Sequence, residues 1–275
     1  MAFRTEDSWP PGVAPLRHWQ EVRLAAPGIG ETLRRSLAAF GSRMLAATGL
    51  RLDSKRAEIP ALAVLPVADA SFALSAIDDP AWPFASEMHK VHDELLASHT
   101  AAGNPSVLIV AADADEEDTA TVALALAALV AATRRVLLID ADLECRTLAA
   151  IDAETADAGL VDVAVGRRLL CDAMSCDRDT GINLMALIGS HSRRGRRIRD
   201  DDVARAFALT KRYGLVIVAA MDQDDPSVGF FGALVDHILI VAGAEAYDAA
   251  AASRWLAGLG FDAAKIRGAI LTGAM

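Results

Sequence analysis

Residues 106–144 read SVLIVAADADEEDTATVALALAALVAATRRVLLIDADLE. An apolar run (107–112) is followed by an acidic turn. An uncharged, Ala/Leu-rich segment (119–133) comes next, then Arg134 and Arg135. A second apolar run (136–139) ends in Asp140-Ala141-Asp142. Two short apolar runs separated by a helix-length segment predict strand, helix, parallel strand. That unit places the first turn and the helix N-terminus at the carboxyl edge of a sheet, where α/β proteins bind ligands. A phosphate-binding loop belongs at such a turn, and its chemistry is missing here.

The pattern continues on both sides. Strands are expected at 59–66, 182–188, 215–220, 237–242 and 266–272. Helices are expected at 84–99, 159–165, 200–213, 227–235 and 245–258. Strands alternating with helices imply a mostly parallel sheet with helices on both faces, a three-layer α/β/α class. Pro60 and Pro66 bracket the first strand and mark it as an edge strand. In the helix at 200–213, Val203, Phe207 and Thr210 form the core-facing line. Residues 1–30 are rich in Pro and Gly, carry Trp9 and Trp19, and read as an arm. Residues 31–48 are amphipathic, with Leu33, Leu37, Phe40 and Met44 on one face and Arg34, Arg35 and Arg43 off it. Such a helix packs on its own domain, on a partner helix or on an anionic membrane surface. The chain thus divides into an N-terminal arm and helix (1–58) and an α/β domain (59–275).

Composition narrows the function. An apolar fraction of 53% suits a globular α/β protein, and a formal net charge of −10 argues against a nucleic-acid partner. The segment 119–133 is too short, and too closely bounded by Asp118 and Arg134, to span a bilayer. With no signal pattern at the N-terminus, a cytoplasmic protein is expected, with the inner face of the cell membrane as a further location. Cys145, Cys171 and Cys176 form no C-x-x-C pair and predict buried thiols in a reducing compartment. His89 and His92 lie three apart on one helix. A metal pair is conceivable there, a surface or interface role more in keeping with the pattern, and no metal site is expected.

IPALAVLP (59–66), DPAWPFASEMHKVHDELL (79–96), the strand-turn-helix, RRVLLIDADL (134–143), GLVDVAVG (159–166), YGLVIV (213–218), VDHILIVA (235–242) and GAIL (268–271) occur in that order. Together they resemble the cytoplasmic domain of bacterial tyrosine kinases and polysaccharide co-polymerases, proteins of exopolysaccharide export with a P-loop NTPase-like fold. The resemblance implies ATP and magnesium as cofactors, a membrane-embedded co-polymerase or other export component as partner, and self-association.

The motifs that carry the family's chemistry depart from its pattern. The phosphate loop, P-G-E-G-K-S-T in the family, corresponds to Asp115, Glu116, Glu117, Asp118, Thr119, Ala120 and Thr121. Both glycines are acids, the lysine is Thr119 and the magnesium-binding hydroxyl is Ala120. Glycines let backbone N–H groups turn toward phosphate at a helix N-terminus, and the lysine neutralises the β/γ charge. Here Asp113 adds a fifth acid, and no lysine lies between Lys90 and Lys211. Carboxylates nonetheless favour a helix N-terminus, and Asp118 is a candidate cap. The second motif survives as Asp140 and Asp142, while the acid of the third is replaced by Ala219. The subunit-joining motif E-x-x-R-x-x-R becomes Glu87, Lys90 and Asp93, leaving Glu87 and Lys90 as candidate oligomer contacts. With Tyr213 and Tyr247 as the two tyrosines of this sequence, the family's tyrosine-rich tail is not expected. The run Arg193–Arg199 followed by Asp200–Asp202 reads as a solvated loop before an acidic helix start, or as a subunit contact or anion site.

Two readings follow. One is a non-catalytic regulatory or assembly component of exopolysaccharide biosynthesis that binds no cofactor. The alternative is an active ATP-dependent tyrosine kinase or ATPase with an atypical phosphate loop. A dinucleotide-dependent oxidoreductase requires a glycine turn after the first core strand, and that turn has no Gly.

Overall fold

The computed structural model describes residues 59–66, 73–74, 77, 79, 81–97, 104–112, 114–142, 158–189 and 199–273. The arm and amphipathic helix expected at 1–58, Cys145 and the arginines at 193–197 lie outside them.

Among the described residues, eight strands form one sheet. In chain order they are β1 (Ala61–Val64), β2 (Ser106–Ala111), β3 (Val136–Asp140), β4 (Ser175–Cys176), β5 (Asn183–Ala186), β6 (Leu215–Ala220), β7 (His237–Gly243) and β8 (Ile266–Thr272). Across the sheet the order is β1-β8-β7-β2-β6-β3-β5-β4. Every described pairing is parallel except β4 with β5. All residues of β2, β3 and β6 are buried, as continuous Val/Ile/Leu/Ala runs require of central strands covered on both faces. The expected edge strand, β1, does lie at the edge, beside β8.

Among the described residues, the α-helices between the strands are α1 (Pro83–Ala97), α2 (Glu116–Ala131), α3 (Leu160–Ala164), α4 (Asp200–Thr210), α5 (Pro226–Leu234) and α6 (Ala249–Gly258). Two apolar clusters lie on opposite faces of the sheet. One joins α1 and α2 through Phe84, Met88, Val91, Leu124 and Leu126. The other joins α3 to α6 through Leu160, Phe207, Phe230, Phe231 and Leu256. Val203, Phe207 and Thr210 are all buried, as their spacing implied.

Helix α2 begins three residues earlier than its composition suggested, at Glu116 rather than Thr119. The first turn of a helix has N–H groups without intrahelical partners, so the carboxylates Glu116, Glu117 and Asp118 belong inside it. Helix α6 begins four residues later than expected, where Asp248 Oδ1 accepts from the N–H groups of Ala250 and Ala251. The short strand β4 and the turn Leu170–Ala173 were not foreseen. They bring Cys171 and Cys176 to the surface, so the expectation of buried thiols fails for these two.

At the amino edge of the sheet, two lysines close the C-terminal end of α5. Lys211 Nζ donates to Leu234 O at 3.2 Å, and Lys265 Nζ donates to Gly232 O and Ala233 O at 3.2 and 3.0 Å. Cations favour a helix C-terminus, where the carbonyls have no intrahelical donors.

Candidate functional site

The carboxyl ends of β2, β3 and β6 define the place where a ligand would sit. Beyond β2 the chain passes through Ala112 and Ala114 to Asp115, which has extended backbone and is the N-cap of α2. Its carboxylate caps no N–H. Asp118, the expected cap, lies instead within the first turn.

The residues that should cradle phosphate are arranged otherwise. Thr119, at the lysine position, is completely buried and turned back on its own helix. Its N–H and Oγ1 both donate to Asp115 O, at 3.1 and 3.3 Å. Ala120 is buried and has no hydroxyl. Thr121 is 2% exposed, and its Oγ1 has no hydrogen-bond partner among the described residues. Glu116 and Glu117 are exposed at the start of α2.

On β3, Asp140 is buried, and its Oδ1 accepts from Asp142 N–H at 3.1 Å. The two surviving acids thus share a tight turn. On β6, Ala219 lies level with Asp140 on one side and Ile109 on the other, and is fully buried. The third acid of the family's chemistry would stand there, and a methyl group occupies the position.

Electrostatics draws a further residue into the site. The carboxyl of Glu116 is pushed above the usual carboxylate range by partial burial, then by the charges of Asp142 and Asp222. Asp222 lies beyond the end of β6 and accepts from Asp224 N–H at 2.8 Å. The sequence reading did not single it out. Its only signal was the run Asp222-Gln223-Asp224-Asp225 where the third motif should have ended. The edge thus brings together acids from the first turn of α2 and from the segments after β3 and β6: Glu116, Asp142 and Asp222. Among the described residues, no group of three or more His, Cys, Asp or Glu is disposed to hold a metal ion.

The candidate oligomer contacts are on α1, far from these loops in sequence. Lys90 Nζ donates to Glu87 Oε1 at 2.5 Å, one turn apart. Asp93, one turn further on, lies 3.1 Å from His92 Nδ1.

No protein-family model matches the sequence, and no curated protein matches it at a significant level. Solved structures do match. The chain is similar to the kinase domain of Escherichia coli tyrosine kinase ETK, with 21% identity, a TM-score of 0.62, and 84% of this chain and 93% of that one covered. It is similar to the chimerical protein CapA2B2, with 15% identity, a TM-score of 0.58 and coverage of 85% and 99%. The kinase domain of VpsO follows at 18% identity and a TM-score of 0.53, covering 75% and 96%. The fold is therefore the α/β/α fold of these bacterial tyrosine kinase domains.

Proposed function

We propose that this protein is a non-catalytic regulatory or assembly component of bacterial exopolysaccharide biosynthesis and export, using a kinase-type fold as a scaffold. The observation that carries the reading is the bond from Thr119 Oγ1 to Asp115 O. The side chain that should reach toward phosphate is buried and bonded within its own helix, and exposed carboxylates surround the helix start. ATP and magnesium do not fit this residue set. A triphosphate would meet Glu116, Asp142 and Asp222 without a compensating lysine. At ~4 Å and an effective dielectric of about 20, each unit repulsion is on the order of 4 kcal/mol before screening. About 4 kcal/mol, the size of one such repulsion, separates micromolar from millimolar binding, and three acids face the site.

One observation favours the second reading, an ATPase or tyrosine kinase with an altered site. Asp140 keeps its place at the end of β3, buried and bonded to Asp142. Calorimetry with Mg-ATP separates the two. The proposal expects no binding below the millimolar range. Micromolar binding that Asp140→Ala abolishes would overturn the proposal and revive the enzyme reading.

The resemblance supplies the partner, a membrane-embedded co-polymerase or another export component. The arm and basic helix at 1–56 dock on it, and the Glu87–Lys90 face of α1 serves self-association.

A further inference from the structure

We propose that the amino edge of the sheet is a docking surface for an anionic lipid bilayer. In a parallel sheet all strand starts lie on one edge, and here four adjacent strands contribute to a basic row. Arg212 precedes β6, Arg134 and Arg135 precede β3, and Arg178 lies in the turn from β4 into β5. Three contacts hold this row together. Leu215 N–H donates to Arg135 O at 3.0 Å, Asn183 Nδ2 donates to Val136 O at 3.2 Å, and the Arg135 guanidinium lies 5.6 Å from the centre of the Tyr213 ring. Neighbouring strands are ~4.8 Å apart, so the four arginines form a continuous line. All four are exposed.

Apolar side chains stand beside that line. Helices α3 and α4 pack together, and both run from the carboxyl edge toward the amino edge. In the last turn of α4, Leu209 is 44% exposed, with Arg205, which is ion-paired to Asp202, one turn before it. Beyond α3, Leu169 is 69% exposed next to the exposed Arg168. These are two of the three large apolar residues exposed among the described residues, the third being Val64. Leucines set among arginines are the composition of a surface that lies in a headgroup layer. Of the nearby acids, Asp236 is paired with Lys211. Asp177, which accepts from the N–H groups of Asp179 and Thr180, and Asp179 keep their charge on either side of Arg178, so the positive excess of the row rests on Arg134, Arg135 and Arg212.

The rest of the charge fixes the orientation. Asp115, Glu116, Glu117, Asp142, Asp222 and Asp224 all lie at the opposite, carboxyl edge. Among the described residues, the amino edge is thus the face by which a chain of net charge −10 can approach an anionic surface with these six acids turned away. This orientation does not depend on whether nucleotide binds.

The test is flotation of the full chain with vesicles of phosphatidylcholine alone or mixed with phosphatidylglycerol. The wild type should float with the mixed vesicles only, and added salt should release it. Reversing Arg134, Arg178 and Arg212 to Glu should lower partitioning at least about tenfold. The same three changed to Gln should give a smaller loss, with thermal melts confirming the fold of both. Leu169→Ser should weaken binding without changing charge. Arg199→Glu with Arg254→Glu, remote from this edge, should not affect it. Residues 1–58 are common to every variant, so their own contribution cancels. Equal partitioning of wild type and the charge-reversed protein would overturn the proposal. So would a loss of concentration-dependent self-association, measured by sedimentation, with vesicle binding unchanged. That result would assign the surface to a second copy of the chain.

Discussion

Ser106 and Asp236, 130 positions apart, bind each other through both main chain and side chain. Asp236 Oδ2 accepts from Ser106 N–H at 2.9 Å and from Ser106 Oγ at 2.8 Å, while Asp236 N–H donates to Ser106 O at 3.0 Å. Lys211 completes the group with an ion pair to Asp236 at 3.1 Å. The clasp joins the start of β2 to the start of β7 and the end of α4.

Asp236→Ala should therefore destabilise the protein by about 1 kcal/mol, a modest figure because the carboxylate is partly exposed and screened. Partial burial alone would raise the Asp236 pKa. The hydrogen bonds from Ser106 and the charge of Lys211 outweigh it and hold the pKa below the ordinary value. A depressed folded-state pKa stabilises above the unfolded value, near ~3.9, and the effect is lost as pH falls through the folded value. Denaturation at pH 7 and at successively lower pH should show wild type and variant converging. A gap that persists in strong acid would mean that packing, not charge, accounts for the difference.

The opposite sign is expected at Glu116, whose pKa is raised by burial, Asp142 and Asp222. A raised carboxylate destabilises the fold once ionised and ceases to do so as pH falls below the unfolded value. Glu116→Gln should be more stable than wild type at pH 7, by no more than about 0.5 kcal/mol after solvent screening. The advantage should disappear near pH 4. The favourable interaction of Glu116 with the helix dipole works against this gain. A variant less stable at neutral pH would show that the dipole prevails.

Rebuilding the phosphate loop tests the site from the other side. Gly at 116 and 118, Lys at 119 and Ser at 120 should raise Mg-ATP affinity in calorimetry. They should also lower the melting temperature, because Thr119 is fully buried and a lysine there forces the turn to open. No phosphoryl transfer is expected, since Ala219 still occupies the place of the third acid.

The other face of the sheet offers a packing test. A Cβ on Gly232, within α5, would collide with the Phe261 ring. Gly232→Ala should cost about 1–3 kcal/mol, the usual range for overpacking. Adding Phe261→Leu should recover part of that loss. Strict additivity of the two changes in chemical denaturation would place the strain elsewhere.

Removing residues 1–56 should leave a folded domain that no longer co-purifies with its membrane protein partner. The segment 31–56 carries six Arg and Lys against Glu31 and Asp53. Undiminished recovery of the partner with the shortened chain would rule this segment out.

Much of this fold could be read in the chain because its central strands are extreme. The run at 107–111 and that at 136–139 are buried at every position, and such runs leave few alternatives. Helix α2 was harder to delimit because it is apolar on almost every side, so periodicity gave no boundary and its acidic first turn looked like loop. Strand β4 was not legible: two half-exposed or exposed residues carry no pattern. In the site, the loss of glycines and lysine was plain from the residues. The inward turn of Thr119 was not, and neither was the approach of Asp222, which depends on where β6 releases the chain.

The pair of lysines at the end of α5 has a practical consequence. The chain has four lysines, and Lys55 lies outside the described residues. Lys90 is the most open of the other three, while Lys211 and Lys265 have their ammonium groups bonded to carbonyls. Burial holds Lys265 below the ordinary lysine pKa, so its amine would be a ready nucleophile if a reagent could reach it. An acylating reagent should label Lys90 at once and Lys265 only as fast as the helix end lets go. The time course of Lys265 acylation, read by peptide mass spectrometry, is thus a built-in clock for the fraying of α5.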